Sequence, residues 1–441
     1  MERNKLCFLF LVMVVGLGGA TGQTVSGAYP PPLFHWRCPK TVDSALGAPA
    51  LFNHNPSMQL RDSSALVFDS LPVADNYTLV VVSRAVTDSE TVLWRLCYSD
   101  SSLRGLTTEN ILSDGVAIRY ADRTGTGPAI ATLRQSAPDS TSPYARLVLG
   151  GGGDMKVAEI LYYSGRMGNG MLRKLQSLLA VRYGVTLGPV DYLDSRGRRI
   201  WDYCDSGLYH HRVAGVGVDT LAHLSQLCSR SEMDGAVLTV RGGSLADRVF
   251  LMTGDDDGAT VFADSGDCEV FGRTWRAQLS GASDTAEIPF TLVFDTHGME
   301  PPTDSLVLLT ADGVHLPAAM GGDSVVFSDV VFPAGTSLFT LARGASLWQT
   351  ALTGNRSLVA GTPAFSASVH PNPSDGHYML EVSGAERVQV TVYNMQGTAV
   401  ASFSDGGRRH YRFEGDLPGG NVYFATVATE SGSQTLKLVV K

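Results

Sequence analysis

Positive charge is scarce in this chain. Its 34 Lys and Arg are outnumbered by 43 Asp and Glu, and the formal net charge is -9 at pH 7. No basic cluster with interleaved aromatics interrupts that deficit, so nucleic acid is excluded as a partner class. Beyond the first 22 residues no apolar run is long enough to cross a bilayer as a helix, and no transmembrane segment is expected there. Compact catalytic signatures are missing as well. There is no GxSxG, no CxxC, no cysteine spacing of zinc type, and no ExDxxE carboxylate array of the kind sandwich glycosidases use.

What the first 22 residues hold is a leader. Arg3 and Lys5 form a basic start, residues 6–17 are apolar, and Ala20 and Gly22 stand at the −3 and −1 positions, so a signal peptide cleaved between Gly22 and Gln23 is expected. Cys7 stands at the start of the apolar run and not after it, which argues against a lipoprotein. Five cysteines follow the leader: Cys38, Cys97, Cys204, Cys228 and Cys268. Export carries them into an oxidising compartment. An odd count leaves at least one thiol free or paired with another chain. Connectivity stays open; Cys204 with Cys228 is the first pairing to consider, against buried free thiols.

The 48 glycines punctuate many short runs of period-two alternation, and the fold class expected is all-β. Residues 23–187 supply strand candidates at 65–68, 77–84, 91–98, 116–120, 130–133, 145–149 and 157–163. The run 77–83 is nearly continuous in apolar residues, as in a central strand covered on both faces. One helix is expected over 170–183, where Met171, Leu172, Leu175, Leu178 and Leu179 share a face, with Asn169 as N-cap and Gly184 as the terminating glycine. The strand Val157-Ala-Glu-Ile-Leu-Tyr-Tyr163 and the helix end Leu179-Ala-Val-Arg-Tyr-Gly-Val-Thr-Leu187 resemble concanavalin/laminin-G-like β-sandwich domains, which implies a sandwich closed by that helix. Residues 188–345 again alternate short strands with Asp/Gly turns, and resemble an uncharacterised β-rich region that follows such sandwiches in exported surface proteins. Residues 346–365 lack a pattern and read as a linker.

Residues 366–441 carry the most specific signal. Pro371, Asn372, Pro373 and Gly376 set a turn; strands follow at 378–382, 388–393, 398–403, 411–413, 422–427 and 435–440, the spacing of a small immunoglobulin-like sandwich. Four motifs stand in order: Pro371-Asn-Pro-Ser-Asp-Gly376; Val390-Thr-Val-Tyr-Asn-Met-Gln-Gly397, with Tyr393 and Gly397; Leu417-Pro-Gly-Gly-Asn-Val-Tyr423, with Leu417, Gly419 and Tyr423; and Lys437-Leu-Val-Val-Lys441, bounded by Lys437 and Lys441. Together they resemble the C-terminal sorting domain of the type IX secretion system. The resemblance implies that the secretion machinery is a partner and that the chain is carried across the outer membrane to the cell surface or beyond.

Other clusters weigh toward structure. Gly150 to Gly153 with Asp154 lacks the Lys-Ser/Thr of a phosphate loop and reads as a hairpin turn. Asp255, Asp256 and Asp257 before Gly258 offer oxygens to Ca²⁺ without the spacing of a calcium loop, and Asp114 and Asp122 are no clearer. His210 and His211 are adjacent, so on a strand they point apart. Asp-Ser/Thr-x tripeptides at Asp43, Asp69, Asp219, Asp284, Asp304 and Asp323 resemble a bacterial O-glycosylation sequon. No catalytic, metal or cofactor residue is assigned. The leading function is a surface module that binds glycans or proteins; the rivals are a hydrolase, glycosidic or proteolytic, and a structural surface-layer component. N-terminal sequencing of the exported protein, after removal of any pyroglutamate, should begin at Gln23; a surface-fraction chain starting at Met1 would refute the leader.

Overall fold

In the computed structural model of the chain, the residues described are 12–14, 28–39, 50–61, 64–86, 90–99, 101–114, 116–119, 127–138, 143–265, 268–283, 285–297, 306–310, 313–321, 323–344, 365–394, 399–408, 410–429 and 432–441. They fall into two compact units, Met1–Thr310 with His315–Trp348, and Ala311–Val314 with Gln349–Lys441. Gly22, Gln23 and Gly397 lie outside the described residues, as does the linker up to residue 364.

Strand alternation in the first unit builds two sandwiches, and the architecture is all-β as expected. The first sheet runs Val12–Val14, Ala65–Pro72, Tyr144–Gly150, Val92–Tyr98, Leu103–Thr107, Asn110–Ser113, Val116–Arg119. Val12–Val14, inside the expected leader, lies parallel to Ala65–Val67 at its edge. The facing sheet runs Gly127–Ser136, Asn76–Ala85, Met155–Ser164, Asn55–Leu60, Ala50–Phe52, and Phe34–Arg37 also pairs with Met155–Ser164. Between the sheets, Phe68, Trp94, Leu96 and Leu147 meet Tyr77, Leu79, Val81, Ile160 and Tyr162. Val80, Val82, Leu161 and Tyr163 point the other way and pack beneath a helix. That is why 77–83 reads as nearly unbroken apolar sequence: the strand is interior to its sheet and both faces are covered.

The helix, α1, spans Asn169–Tyr183 and buries Leu172, Leu175, Leu178 and Leu179. Each fully buried leucine contributes about 1.5–3 kcal/mol. Its N-cap is Gly168 rather than Asn169. Asn169 is instead drawn to Arg134, whose Nη1 donates to Asn169 Oδ1 at 2.7 Å. Gly184 ends the helix at φ 59° in the left-handed region, and a Cβ there would stand 2.3 Å from the Arg230 carbonyl oxygen. Glycine is required at this position on both counts.

Beyond α1 lies the second sandwich. One sheet runs Leu224–Gln226, His211–Asp219, Phe250–Asp255, Glu269–Ser280, Gly335–Arg343, Leu306–Thr310; the other runs Cys228–Arg230, Leu238–Gly242, Pro289–Asp295, Ser324–Val331, Ala319–Gly321. Trp275, Phe294, Phe327 and Phe339 fill the space between them. Val213, Phe250 and Met252 belong to the same apolar cluster as the α1 leucines and Leu161. The helix is therefore a shared layer, with a sheet of each sandwich on either side, and not only the closing element of the first.

One carboxylate ties these layers together. Glu159, 1 % exposed, stands beside Arg37 across the strand pair, after a register shift that follows Val157. Its Oε1 meets His35 Nε2 at 2.7 Å and accepts from Arg37 Nη2 at 3.0 Å. Its Oε2 accepts from Arg182 Nη1 at 3.1 Å and from the Tyr183 hydroxyl at 2.8 Å. Burial alone would raise its pKa, but Arg182, His35 and Arg37 hold it well below the usual carboxylate range.

Two local expectations are corrected. Gly150 to Asp154 is not a hairpin turn: Tyr144–Gly150 and Met155–Ser164 lie in different sheets, so the glycines make the crossover, with Gly150 and Gly151 at φ 76° and 84°. The five cysteines described are free thiols, with Cys38 buried and Cys204 exposed, so Cys204 and Cys228 do not pair.

Replacing Glu159 by Ala would leave Arg182 charged, buried and uncompensated, and should destabilise the first unit by about 3–5 kcal/mol in denaturant melts. The pH sign follows from the depressed folded pKa. Glu159's contribution is complete above its ordinary value of 4.5 and drains as pH falls below it. In Glu159→Gln that part of the acid sensitivity should vanish.

Candidate functional site

The second unit is a small sandwich. Ser366–His370, His377–Ser383 and His410–Asp416 form one sheet; Ala399–Gly406, Arg387–Tyr393, Asn421–Thr429 and Gly432–Val440 form the other, with Gly432–Val440 at the edge. Tyr378, Leu380, Val390, Val392, Tyr423, Ala425 and Leu438 fill the core, joined by Phe365, which the sequence assigned to the linker.

An edge strand leaves a row of backbone groups open, and here the turn closes part of that row. The Asn372 side chain works as a strand partner. Its Nδ2 donates to the Lys437 carbonyl at 2.6 Å, and its Oδ1 accepts from the Val439 amide at 2.9 Å. Two residues on, Ser374 donates its amide to Val439 O at 2.8 Å and accepts from the Lys441 amide at 2.9 Å. Pro371 and Pro373, both after cis peptide bonds, bracket Asn372.

The third motif meets the same strand from its other side. Gly420 donates its amide to Val440 O at 3.1 Å, and Leu417 donates to Gly376 O at 2.9 Å. Gly419 lies so close that a Cβ would stand 2.6 Å from Lys441 O. The Tyr423 hydroxyl donates to Pro418 O at 3.1 Å and holds that turn. Tyr393 is the cross-strand neighbour of Phe424, which is the neighbour of Lys437. Phe424 is 39 % exposed, and Lys437 and Lys441 are exposed. The first and third motifs thus meet on the last strand, which carries the fourth, while the second lies one strand further in, beyond Asn421–Thr429.

The other sequence clusters are spent on structure. Asp255 is buried and gripped by Arg212, with Nε to Oδ2 at 2.8 Å and Nη2 to Oδ1 at 2.5 Å; Arg212 also reaches Asp257 at 2.5 Å. Asp256 Oδ1 accepts from the amides of Gly258 and Thr274. The three carboxylates are thus turned to an arginine and to backbone, and Asp114 pairs with Arg104; Asp122 is outside the described residues. His210 and His211 do not point apart. His210 precedes the strand, and the two rings stack at 4.4 Å. Among the described residues no group of three or more His, Cys, Asp or Glu is placed to hold a metal.

Sequence reasoning missed one site. Around Glu159 opens a cavity of about 330 Å³, with Leu161, Leu175, Leu178, Leu179 and Ala222 as apolar wall and His35, Arg37, Arg182 and His223 as the polar part. The available signal was Glu159 itself, a lone carboxylate in the apolar run 157–163.

Two family models match the chain. "Domain of unknown function (DUF8202)" covers residues 171–331, beginning inside α1. "Secretion system C-terminal sorting domain" covers residues 368–441. No curated protein matches. Likenesses to solved structures are slight. They include β-glucuronidase 3 of Bacteroides uniformis (11 % identity, 35 % of this chain and 27 % of that chain, TM-score 0.13). A biofilm-associated protein BSP domain follows (7 %, 86 % and 81 %, TM-score 0.15), and the 47-kilodalton lipoprotein Tp47 of Treponema pallidum (9 %, 86 % and 93 %, TM-score 0.14). At such scores none informs the fold or the activity, and this chain spans about a quarter of the glucuronidase. No described helix is long and apolar enough to cross a membrane. The matched terminal segment contains all four motifs: the chain ends in a type IX secretion C-terminal sorting domain, and it is secreted across the outer membrane to the cell surface or the extracellular space.

Proposed function

We propose that residues 23–345 are the cargo of this export and act as a non-catalytic binding or adhesion module for surface glycans or proteins. In this reading residues 23–187 are the concanavalin/laminin-G-like part and 188–345 the second β-rich domain, with the leader removed before Gln23. That cleavage takes Val12–Val14 away and leaves Ala65–Pro72 as a sheet edge.

One observation carries the choice of binding over hydrolysis. Glycosidic hydrolysis needs a carboxylic acid whose pKa is raised, set opposite a second carboxylate. Among the described residues, every carboxylate whose pKa is displaced is displaced downward: Glu90, Glu159, Asp202, Asp247, Asp257 and Glu269. Each accepts from an arginine, a hydroxyl, an amide or a backbone N–H, so each is kept as an anion and is unsuited to donate a proton. The buried Asp219 is likewise engaged, by the amide and hydroxyl of Ser195. Sandwiches of this kind bind through loops carried on a rigid body, and the layer shared by the two sandwiches supplies that rigidity.

In the second unit, we assign the signal read by the secretion machinery to the last strand as held by Asn372, Ser374 and the turn at Gly419 and Gly420, with Lys437 and Lys441 exposed on it. Asn372 acts by geometry: its amide satisfies one donor and one acceptor of the open edge and so fixes where the chain end lies.

The purified exported protein should bind members of a glycan or surface-protein array and turn over none of a broad panel of polysaccharides and peptides. Reproducible turnover, lost on changing a single Asp or Glu to Ala, would replace this reading by the hydrolase. Deleting residues 435–441 should abolish surface display and trap a folded first unit in the periplasm. Asn372→Ala removes two hydrogen bonds, worth about 1–3 kcal/mol together, and should lower display several-fold in cell fractionation. Normal display by the deletion would remove the role given to the last strand.

A further inference from the structure

The cavity beside Glu159 has a polarity that the carboxylate's own needs do not explain. Both Glu159 oxygens already accept two donors each. Arg37 and Arg182 together bring two positive charges against that one negative charge, so positive charge is in surplus before His35 is counted. Arg182 is 7 % exposed and sits on the floor, whereas the Arg37 side chain is 34 % exposed and sits toward the mouth. Surplus positive charge on a partly exposed guanidinium suits an anion.

The remaining surface is of opposite character. Leu161 of the sheet, Leu175, Leu178 and Leu179 of α1, and Ala222 of the 3₁₀ turn Thr220–Ala222 line it with hydrocarbon. His223 follows that turn and is exposed, so the mouth opens between it and Arg37. A volume of about 330 Å³ lies at the lower end of small-ligand sites, which pair an apolar lining with a few placed polar groups.

We propose that this cavity binds a small monocarboxylate with an apolar body. The carboxylate lies at Arg37, within reach of the mouth, and the hydrocarbon lies along Leu161 and the α1 leucines. The surplus positive charge at the polar end matches a carboxylate. The apolar wall disfavours inorganic phosphate and sulfate, which would be desolvated against leucine without compensation. The wall is built from the first sandwich, α1 and the turn that follows the His211–Asp219 strand of the second, so such a ligand would bridge the shared layer. This site and the adhesion reading rest on different observations, and either can fail alone.

The test is calorimetry on the purified full-length exported protein with sodium octanoate, using 1-octanol and inorganic phosphate as comparators. Octanoate should bind saturably at one site and raise the melting temperature of the protein, with octanol and phosphate at least tenfold weaker. Arg37→Met keeps the aliphatic stem and removes the charge; it should weaken octanoate at least tenfold and bring octanoate and octanol together. Ala222→Phe fills the cavity from a short turn and should abolish binding while the melt stays cooperative. If Arg37→Met does not fold, the Ala222→Phe protein and the wild-type comparison of octanoate with octanol decide alone. No saturable octanoate binding by the folded wild type, equal binding of octanol or phosphate, or undiminished binding in folded Ala222→Phe would each overturn the proposal. Array binding by the same preparation reports separately on the adhesion reading.

Discussion

The first unit depends on one buried charge being fully answered. Glu159 sits in the middle of an otherwise apolar strand, where an unpaired carboxylate would be untenable. Four donors meet it, from the edge strand Phe34–Arg37 and from the last turn of α1. Those donors are what place the edge strand and the helix end relative to the sheet. Hydrocarbon packing alone would let α1 slide along Val80, Val82 and Leu161, because leucine contacts are non-directional. The ion-pair hub adds direction, and Gly184, wedged against the Arg230 carbonyl, fixes where the helix must stop. Stability comes mainly from the leucines and register from Glu159.

The second unit solves a different problem with backbone groups. Its last strand is at a sheet edge and at the chain end, the two places where order is hardest to keep. Asn372 presents a donor and an acceptor at strand spacing, Ser374 adds an amide and a carbonyl, and Gly420 adds an amide. The terminal segment is thereby hydrogen-bonded along both of its edges while Lys437 and Lys441 remain in solvent. A recognition element needs that combination of fixed backbone and free side chains.

Legibility in the sequence followed the range of the interactions. The sorting domain was readable because its motifs lie within 76 residues, and α1 because its leucines repeat at helical spacing. Alternation marked most strands. The tetraglycine segment was misjudged, since a hairpin and a sheet-to-sheet crossover share the same turn residues and differ only in where the next strand docks. Asn169 looked like a cap, but Arg134, distant in sequence, competes for its oxygen. His210 and His211 stack because the strand begins between them, so alternation did not apply. The cavity was invisible for the same reason at larger scale: Glu159 lies 124 and 122 positions from His35 and Arg37, and nothing local announces that they meet.

The placement of α1 also bears on how such a chain can be rearranged. A cut at residue 187 looks natural in the sequence, since it falls between two β-rich stretches. Yet α1 gives hydrocarbon to both sandwiches, and Asn53 of the first donates from its side chain to the carbonyls of Val181 and Arg182 while its backbone amide donates to Glu232 of the second. A swap at that joint would carry half an interior into foreign company. The inheritable piece is the pair of sandwiches with its helix, exchanged whole or not at all, whereas the sorting unit, with a core of its own, is free to be passed from one cargo to another.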